Sequence, residues 1–434
     1  MIRAARRAVR WAGLVALCAA CAGPAGNAPN TASVPPWTSR AIPEARGEFQ
    51  VMPDGKRQAV RYRGWSTRDF NFRTYAHDDM RPEPAVQTVT MPAGLTGNPR
   101  LGFALFLSRA KGPCTGCHLI PGDDVWPAGN VGPDQSTIGD RNVTDQYLYQ
   151  VIWDPRVFFP NTSMPPWGTV GVLSPEEVVH LVAYLRTLKG PVPPEKDLDP
   201  NPFTRRKPMG FGDNLDPTNN PAVVLADGAE AVWAAKGPAG KACADCHEGG
   251  AAKAMKGVGT RYPKFVTAYR RVMSIEDFLT VHGPQTTGRP LLAESADNIN
   301  LSVLIRRASN GMPVNVDTES PEARAAIARG KATFDRRVGE RNHACADCHT
   351  VERGANKFLG GRLLADVTSG LTRHFPLWRT DRSEVWDMRK RLQWCMTPLG
   401  MNMLAADSIE YAELELYLTT FDNGKPMSVP GIRH

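Results

Sequence analysis

The pentapeptides Cys114-Thr115-Gly116-Cys117-His118, Cys243-Ala244-Asp245-Cys246-His247 and Cys345-Ala346-Asp347-Cys348-His349 decide how this chain of 434 residues is read. On a helical turn, positions i, i+3 and i+4 fall on one face. Each pentapeptide therefore presents two thiols with an imidazole beneath them. Thiols so placed can add to the two vinyl groups of a haem while the histidine ligates its iron. A zinc site needs matched ligand sets, and a redox dithiol has no use for the trailing histidine. Three copies of the pattern predict three covalently bound haem c groups, attached through Cys114, Cys117, Cys243, Cys246, Cys345 and Cys348. His118, His247 and His349 are then the first iron ligands.

The sequence around each motif repeats in a fixed order. A helical segment with small and aromatic residues comes first: Gly102-Phe-Ala-Leu-Phe106, Gly228-Ala-Glu-Ala-Val-Trp233 and Gly330-Lys-Ala-Thr-Phe334. The haem motif follows, then a Gly- and Pro-rich stretch, then a closing helix at 175–189, 296–308 and 408–420. The first closing helix starts at Ser174-Pro175-Glu176-Glu177, which reads as a capping box with Pro at the first helical position. A first helix crossing a last helix beside a haem is the arrangement of small class I cytochromes c, which each unit resembles. The expected fold is mainly α, with three tandem class I cytochrome c-like haem domains at 93–190, 221–315 and 316–434. Residues 191–220 read as a Pro-rich linker, and residues 23–92 as a linker followed by an irregular N-terminal extension.

Bulk composition, 42% apolar and 22% charged, is that of a globular protein and excludes a membrane bundle or a disordered chain. The start carries Arg3, Arg6, Arg7 and Arg10 before a short apolar run, Trp11 to Ala20, too short to span a bilayer. Residues 1–22 therefore read as a cleaved export signal, which places the protein in the periplasm. A lipid anchor through Cys21 is the less favoured reading, since Cys18 stands where Leu is usual. Formal charge is +8, and four of those charges are the leader's arginines, which leaves the rest near +4. With no lysine-rich tract and no interleaved aromatics, this weak basicity points to no nucleic-acid partner. Of nine cysteines, two lie in the leader, six in the motifs, and Cys395 is left over. An odd cysteine in an exported protein needs an explanation.

The second iron ligands are expected to differ between units. Asn161-Thr-Ser-Met-Pro-Pro166 places Met164 in a Pro-rich loop 46 residues past His118. A thioether there raises haem potential, whereas a Met is otherwise core filler. The same offset from His349 lands on Cys395, in Arg389-Lys-Arg-Leu-Gln-Trp-Cys395. Nearby cations favour thiolate, the ligating and reactive form, and a thiolate ligand lowers haem potential. An inert buried cysteine is the alternative. The middle unit offers His282, Met273 and Met312, of which His282 is favoured.

Taken together, these residues resemble the SoxXA cytochromes of bacterial sulfur oxidation, with both subunits joined in one chain. Gly97 to Gly190, with Gly129-Asn-Val-Gly-Pro-Asp134 and Asn161-Thr-Ser-Met-Pro-Pro166, looks like SoxX. From about residue 207 the chain looks like SoxA, carried by Tyr262-Pro, Met273-Ser-Ile-Glu-Asp277, Gly311-Met-Pro313, Phe375-Pro-Leu-Trp-Arg379 and Arg389-Lys-Arg-Leu-Gln-Trp-Cys395. Dihaem SoxA proteins use a cysteine where His282 stands here, so a bis-His middle haem with a structural or electron-storage role is implied. The resemblance further implies L-cysteine S-thiosulfotransferase activity, in which thiosulfate is coupled oxidatively to a cysteine of a SoxYZ carrier. Electrons would pass through the haems to a soluble or membrane cytochrome c. Cys395 would be both iron ligand and sulfur-reactive group, and Arg391 matches the family's active-site arginine. Arg389, Lys390 and Arg379 either widen a positive funnel for the thiosulfate dianion or are ordinary solvated charges. Two other functions fit the same residues, a thiosulfate dehydrogenase forming tetrathionate and a non-catalytic electron-transfer cytochrome.

Overall fold

The computed structural model describes residues 47–51, 57–62, 72–75, 83–108, 111–112, 114–121, 129–190, 220–338, 341–380, 382–396 and 406–433. The expected leader with Cys21, and nearly all of the 191–220 linker, lie outside the described residues.

In the N-terminal part, β1 (Gly47–Val51), β2 (Arg57–Tyr62) and β3 (Phe72–Tyr75) form an antiparallel meander in the order β1-β2-β3. This corrects the expectation of an irregular extension. Pro53-Asp54-Gly55, a composition that favours turns, lies in the sequence between the first two strands and carried the signal. Among many polar residues it was outweighed by the lack of a clear apolar alternation.

Helix α1 (Pro99–Leu107) opens at Asn98, whose side chain accepts from the amides of Arg100 and Leu101. It packs on α3 (Pro175–Leu185), which also packs on α2 (Asp145–Trp153). The predicted capping box of α3 is present, Ser174 and Glu177 each accepting from the other's amide. Val178, Val179, Leu181, Val182 and Leu185 bury its inward face. The crossing of α1 and α3 depends on Gly102, because a Cβ there would stand 2.0 Å from the carbonyl oxygen of His180.

The next segment contains α4 (Pro221–Ala234), α5 (Gly250–Ala254), the hairpin β4 (Lys264–Val266)–β5 (Arg271–Met273), α6 (Ile275–Thr286) and α7 (Ala296–Arg307). Here α4 faces α7, and its Ala222, Ala226 and Ala229 are at most 1% exposed. Small alanines on one face replace the crossing glycine.

The last segment runs through α8 (Pro321–Asp335), α9 (Cys345–His349), the hairpin β6 (Phe358–Leu359)–β7 (Arg362–Leu363), β8 (Leu377–Arg379), β9 (Glu384–Trp386), α10 (Met388–Met396), α11 (Ile409–Thr420) and β10 (Gly431–Arg433). Strand β8 lies between β10, parallel to it, and β9, antiparallel. Helix α8 crosses α11 at Gly330, where a Cβ would meet the carbonyl oxygen of Glu413 at 2.2 Å. The second and third segments share one core, in which Ala226, Ile299 and Val303 pack with Ala326, Leu416 and Val429. Among the described residues no helix is long and apolar enough to cross a membrane.

Candidate functional site

Each haem motif forms a tight helical turn: Cys114–Gly116 and Cys243–Asp245 are single 3-10 turns, and Cys345–His349 is the short helix α9. In the second and third motifs the third residue is an aspartate that caps its own turn. Asp245 accepts from the Ala242 amide at 2.8 Å, and Asp347 from the Ala344 amide at 2.9 Å. The His118 and His349 imidazoles are held by their Nδ1 atoms. His118 Nδ1 lies 2.7 Å from the Pro133 carbonyl, 15 residues on, and His349 Nδ1 lies 2.7 Å from the Ala365 carbonyl, 16 residues on. A carbonyl accepting at Nδ1 fixes the tautomer and leaves Nε2 with its lone pair free, as a ligating histidine requires. Burial also holds His118 and His247 below the ordinary histidine range, which keeps them neutral.

In the middle segment His282 of α6 meets His247, with ring centres 6.4 Å apart. Two imidazoles bonded to one metal at about 2 Å each put their ring centres about 6 Å apart. Phe278, one turn earlier, stacks on His282 at 4.9 Å, and Trp233 sits 5.5 Å from His247. The spacing and the apolar walls fit a haem iron held between the two rings. Burial, then the neighbouring His247, keeps His282 neutral. Of the other candidates, Met273 is buried in β5 and Met312 packs near Gly257. In the first segment Met164 borders the same core as Cys114.

The third segment brings Cys395 to His349. Cys395, half-buried on α10, is within hydrogen-bonding reach of the His349 ring. Loss of water around the sulfur pushes its pKa up, but Arg391, His349 and Arg379 outweigh that and hold it at about 7. The motif thiols go the other way. Burial lifts Cys114 and Cys345 to about 12 and Cys117 to about 11. Arg391, Trp394 and Cys395 share one face of α10 by their i, i+3, i+4 spacing. The indole of Trp394 has three guanidiniums around it, Arg391 and Arg362 at 5.0 Å and Arg379 at 5.9 Å. The sequence reading did not find Arg362 or Trp394. Arg362 lies on a two-residue strand 33 positions before the thiol, where no periodicity marks it.

The wider funnel is corrected by the structure. Arg389 is 1% exposed and Lys390 3% exposed. Arg389 donates to Asp277 at 2.8 Å, and Lys390 pairs with Glu384. Both charges are neutralised inside the protein, so neither faces a substrate. Of the three, Arg379 is among the charges that lower the Cys395 pKa.

The first and third motifs lie back to back. Gly360 of the β6–β7 turn donates to the Gly116 carbonyl at 2.8 Å, and Asn130 donates to the Phe358 carbonyl at 3.0 Å. Phe358 N–H returns a bond to Asn130 Oδ1 at 2.7 Å, and Ser163 Oγ donates to the Asp347 carbonyl at 3.0 Å. Gly129 is required here, since a Cβ would sit 1.9 Å from the Gly116 oxygen. The loop that carries Met164 thus rests against the motif that carries His349.

Residues 228–314 and 329–427 match the model of the SoxA/TsdA cytochrome c domain, and residues 98–185 match that of cytochrome c oxidase, cbb3-type, subunit III. The chain is 29% identical over 217 residues to the L-cysteine S-thiosulfotransferase subunit SoxA of Pseudaminobacter salicylatoxidans, covering 49% of this chain and 73% of that protein. Over residues 228–427 the chain matches the SoxA/TsdA family of c-type cytochromes. The SoxA subunit of Rhodovulum sulfidophilum is likewise 29% identical, over 51% of this chain and 75% of its own length. The solved SoxXA of P. pantotrophus aligns with a TM-score of 0.46 at 27% identity, covering 50% of this chain and 80% of that one. Cytochrome c domains bind haem c covalently, which agrees with the turns, the fixed imidazoles and the His247–His282 spacing.

Proposed function

We propose that the chain is a fused SoxXA enzyme that couples thiosulfate to a cysteine of a SoxYZ-type carrier and passes the electrons to a soluble or membrane cytochrome c. In this reading haem-bearing segments at 93–190, 221–315 and 316–434 act in the periplasm. The observation that carries it is the placement of Cys395 against His349 with Arg391 on the same helix face. A pure electron carrier needs no cation beside an axial ligand.

Three haem c groups would be held by the motif cysteines and by His118 with Met164, His247 with His282, and His349 with Cys395; they supply one-electron acceptors. The protein's own residues do the rest. Arg391 and Arg379 offer N–H donors and positive charge to the thiosulfate dianion and keep the Cys395 sulfur in its thiolate form. In the net reaction the carrier thiol gives up its proton and a bond forms between its sulfur and the outer sulfur of thiosulfate. Two electrons leave, so that −2 on the left equals −1, −2 and +1 on the right.

Replacing Cys395 with Ala is expected to abolish carrier-dependent thiosulfate oxidation while haem content, measured by pyridine haemochrome, stays at three per chain. Retained coupling in that variant sinks the proposal. The matched family description covers TsdA as well as SoxA, which keeps a second reading in place, the joining of two thiosulfates to tetrathionate. Thiosulfate supplied without carrier, with tetrathionate as the measured product, separates the two.

A further inference from the structure

Helix α10 presents more than a thiol and one arginine to its open face. The Nε1 of Trp394 and the Nη1 of Arg391 are both shielded from solvent and have no hydrogen-bond partner among the described residues. A buried donor left without an acceptor is destabilising, because it has lost its water and gained no partner. Arg389 Nε and Nη1 on the opposite face are unpartnered too, but Trp394 and Arg391 share the face of Cys395, so their two donors, one and four residues from it, mark a place for an acceptor beside the thiol. The acceptor is anionic, because three guanidiniums gather on the Trp394 indole. Arg391 and Arg362 are each centred 5.0 Å from that ring, so they lie within about 10 Å of each other. Arg379 is buried, whereas Arg362 is exposed on β7.

Deepening the proposed function and resting on it for the identity of the ligand, we propose that Trp394 and Arg362 complete an oxyanion cradle beside Cys395. Trp394 is the floor of that cradle. Its N–H donates to an oxygen of the sulfur oxyanion, and its ring holds the guanidiniums in place by cation–π contact. Arg362 is the outer arm, which meets the anion as it arrives. Because β7 belongs to the hairpin whose Gly360 and Phe358 bond to the first segment, that docking also fixes the outer arm. The cradle selects small doubly charged oxyanions with several acceptor oxygens over monoanions of similar size.

Equilibrium binding of thiosulfate to the oxidised, haem-loaded full chain, by titration calorimetry, tests this apart from turnover. Trp394→Phe keeps the ring and loses the donor, and is expected to weaken binding about tenfold. Trp394→Leu loses both and weakens it further. Arg362→Gln is expected to weaken binding about threefold to tenfold at low salt, shrinking as added salt screens an exposed charge. The EPR signature of the third haem should stay unchanged in Trp394→Phe and Arg362→Gln, which excludes a collapsed site as the cause. Thiosulfate affinity unaltered in both variants, or no thiosulfate binding by the parent protein, overturns the cradle. Weakened binding in a chain that never couples thiosulfate to a carrier keeps the cradle and overturns the proposed function.

Discussion

Replacing Arg389 with Met removes the cation at the centre of the most charged interior of this protein. Arg389 Nη2 lies 2.8 Å from Asp277 and 3.4 Å from Glu415. Arg306 lies 3.1 Å from Glu276 and 3.4 Å from the same Glu415, and Arg271 faces Asp277 at 3.9 Å. Asp387 is fully buried in the same group, next to Lys390 with its partner Glu384. Without Arg389, four buried carboxylates share two arginines and a lysine already paired. Removing one partner from a buried pair costs about 3–5 kcal/mol. For a cooperative unit of this size that corresponds to a fall in melting temperature on the order of 10 °C.

The pH dependence gives the sharper test. Burial raises Glu415 to about 7 and Asp387 to about 6, and Arg389 is among the groups that hold each down. A carboxylate raised in the folded state contributes stability that is full below its unfolded pKa of about 4.3 and is lost as pH rises through the folded value. Deleting Arg389 lifts both folded values further, so the variant's deficit should be largest at pH 8 and smallest at pH 5. The assay is thermal unfolding of haem-loaded full chain followed by circular dichroism at both pH values, at matched scan rates. Adding Glu415→Gln should recover part of the loss, since it removes the charge left unpaired. A deficit under about 1 kcal/mol, or one that grows toward pH 5, refutes the reasoning.

The two crossing glycines should behave unlike the third glycine of the repeat. Gly330→Ala and Gly102→Ala force a Cβ against a backbone carbonyl and should lower the melting temperature clearly, whereas Gly228→Ala meets nothing within 4 Å and should be neutral or stabilising. His282→Ala should remove a bis-imidazole low-spin signal from the EPR spectrum of the oxidised protein while all haems stay attached. An unchanged spectrum would assign the middle iron to another ligand.

Much of this was legible in the sequence, because local rules and tertiary structure agreed. Ser174 to Glu177 caps α3 as its letters say, and the closing helices fall where apolar spacing placed them. The pairing of His282 with His247 was legible only as a choice among three residues. Sequence spacing cannot say which side chain a fold turns toward an iron. The shared core of the second and third segments was not legible, since each helix face looks alike whether its partner is near or far in the chain. The β1–β3 meander was missed because its turn signal stood without a clear apolar alternation.

The run Arg389-Lys-Arg-Leu-Gln-Trp-Cys395 shows why charge alone misled. Read as letters, it is three cations before a thiol. Read on a helix, it is two faces, because neighbours at i and i+2 do not point the same way. Arg389, Lys390, Gln393 and Met396 are buried, whereas Arg391, Trp394 and Cys395 are only half-buried. The charges of Arg389 and Lys390 are paired with Asp277, Glu415 and Glu384, acids that come from distant parts of the chain or precede the helix. Arg391 Nη1 and Trp394 Nε1 of the second set have no hydrogen-bond partner among the described residues, and neither do Arg389 Nε and Nη1 of the first. One face anchors α10, through Asp277, to the helix that carries His282. In the proposed function the other face meets the substrate. Stability and chemistry thus divide the same seven residues, and the Arg389 and Trp394 variants should separate them, the first in melting temperature and the second in anion affinity.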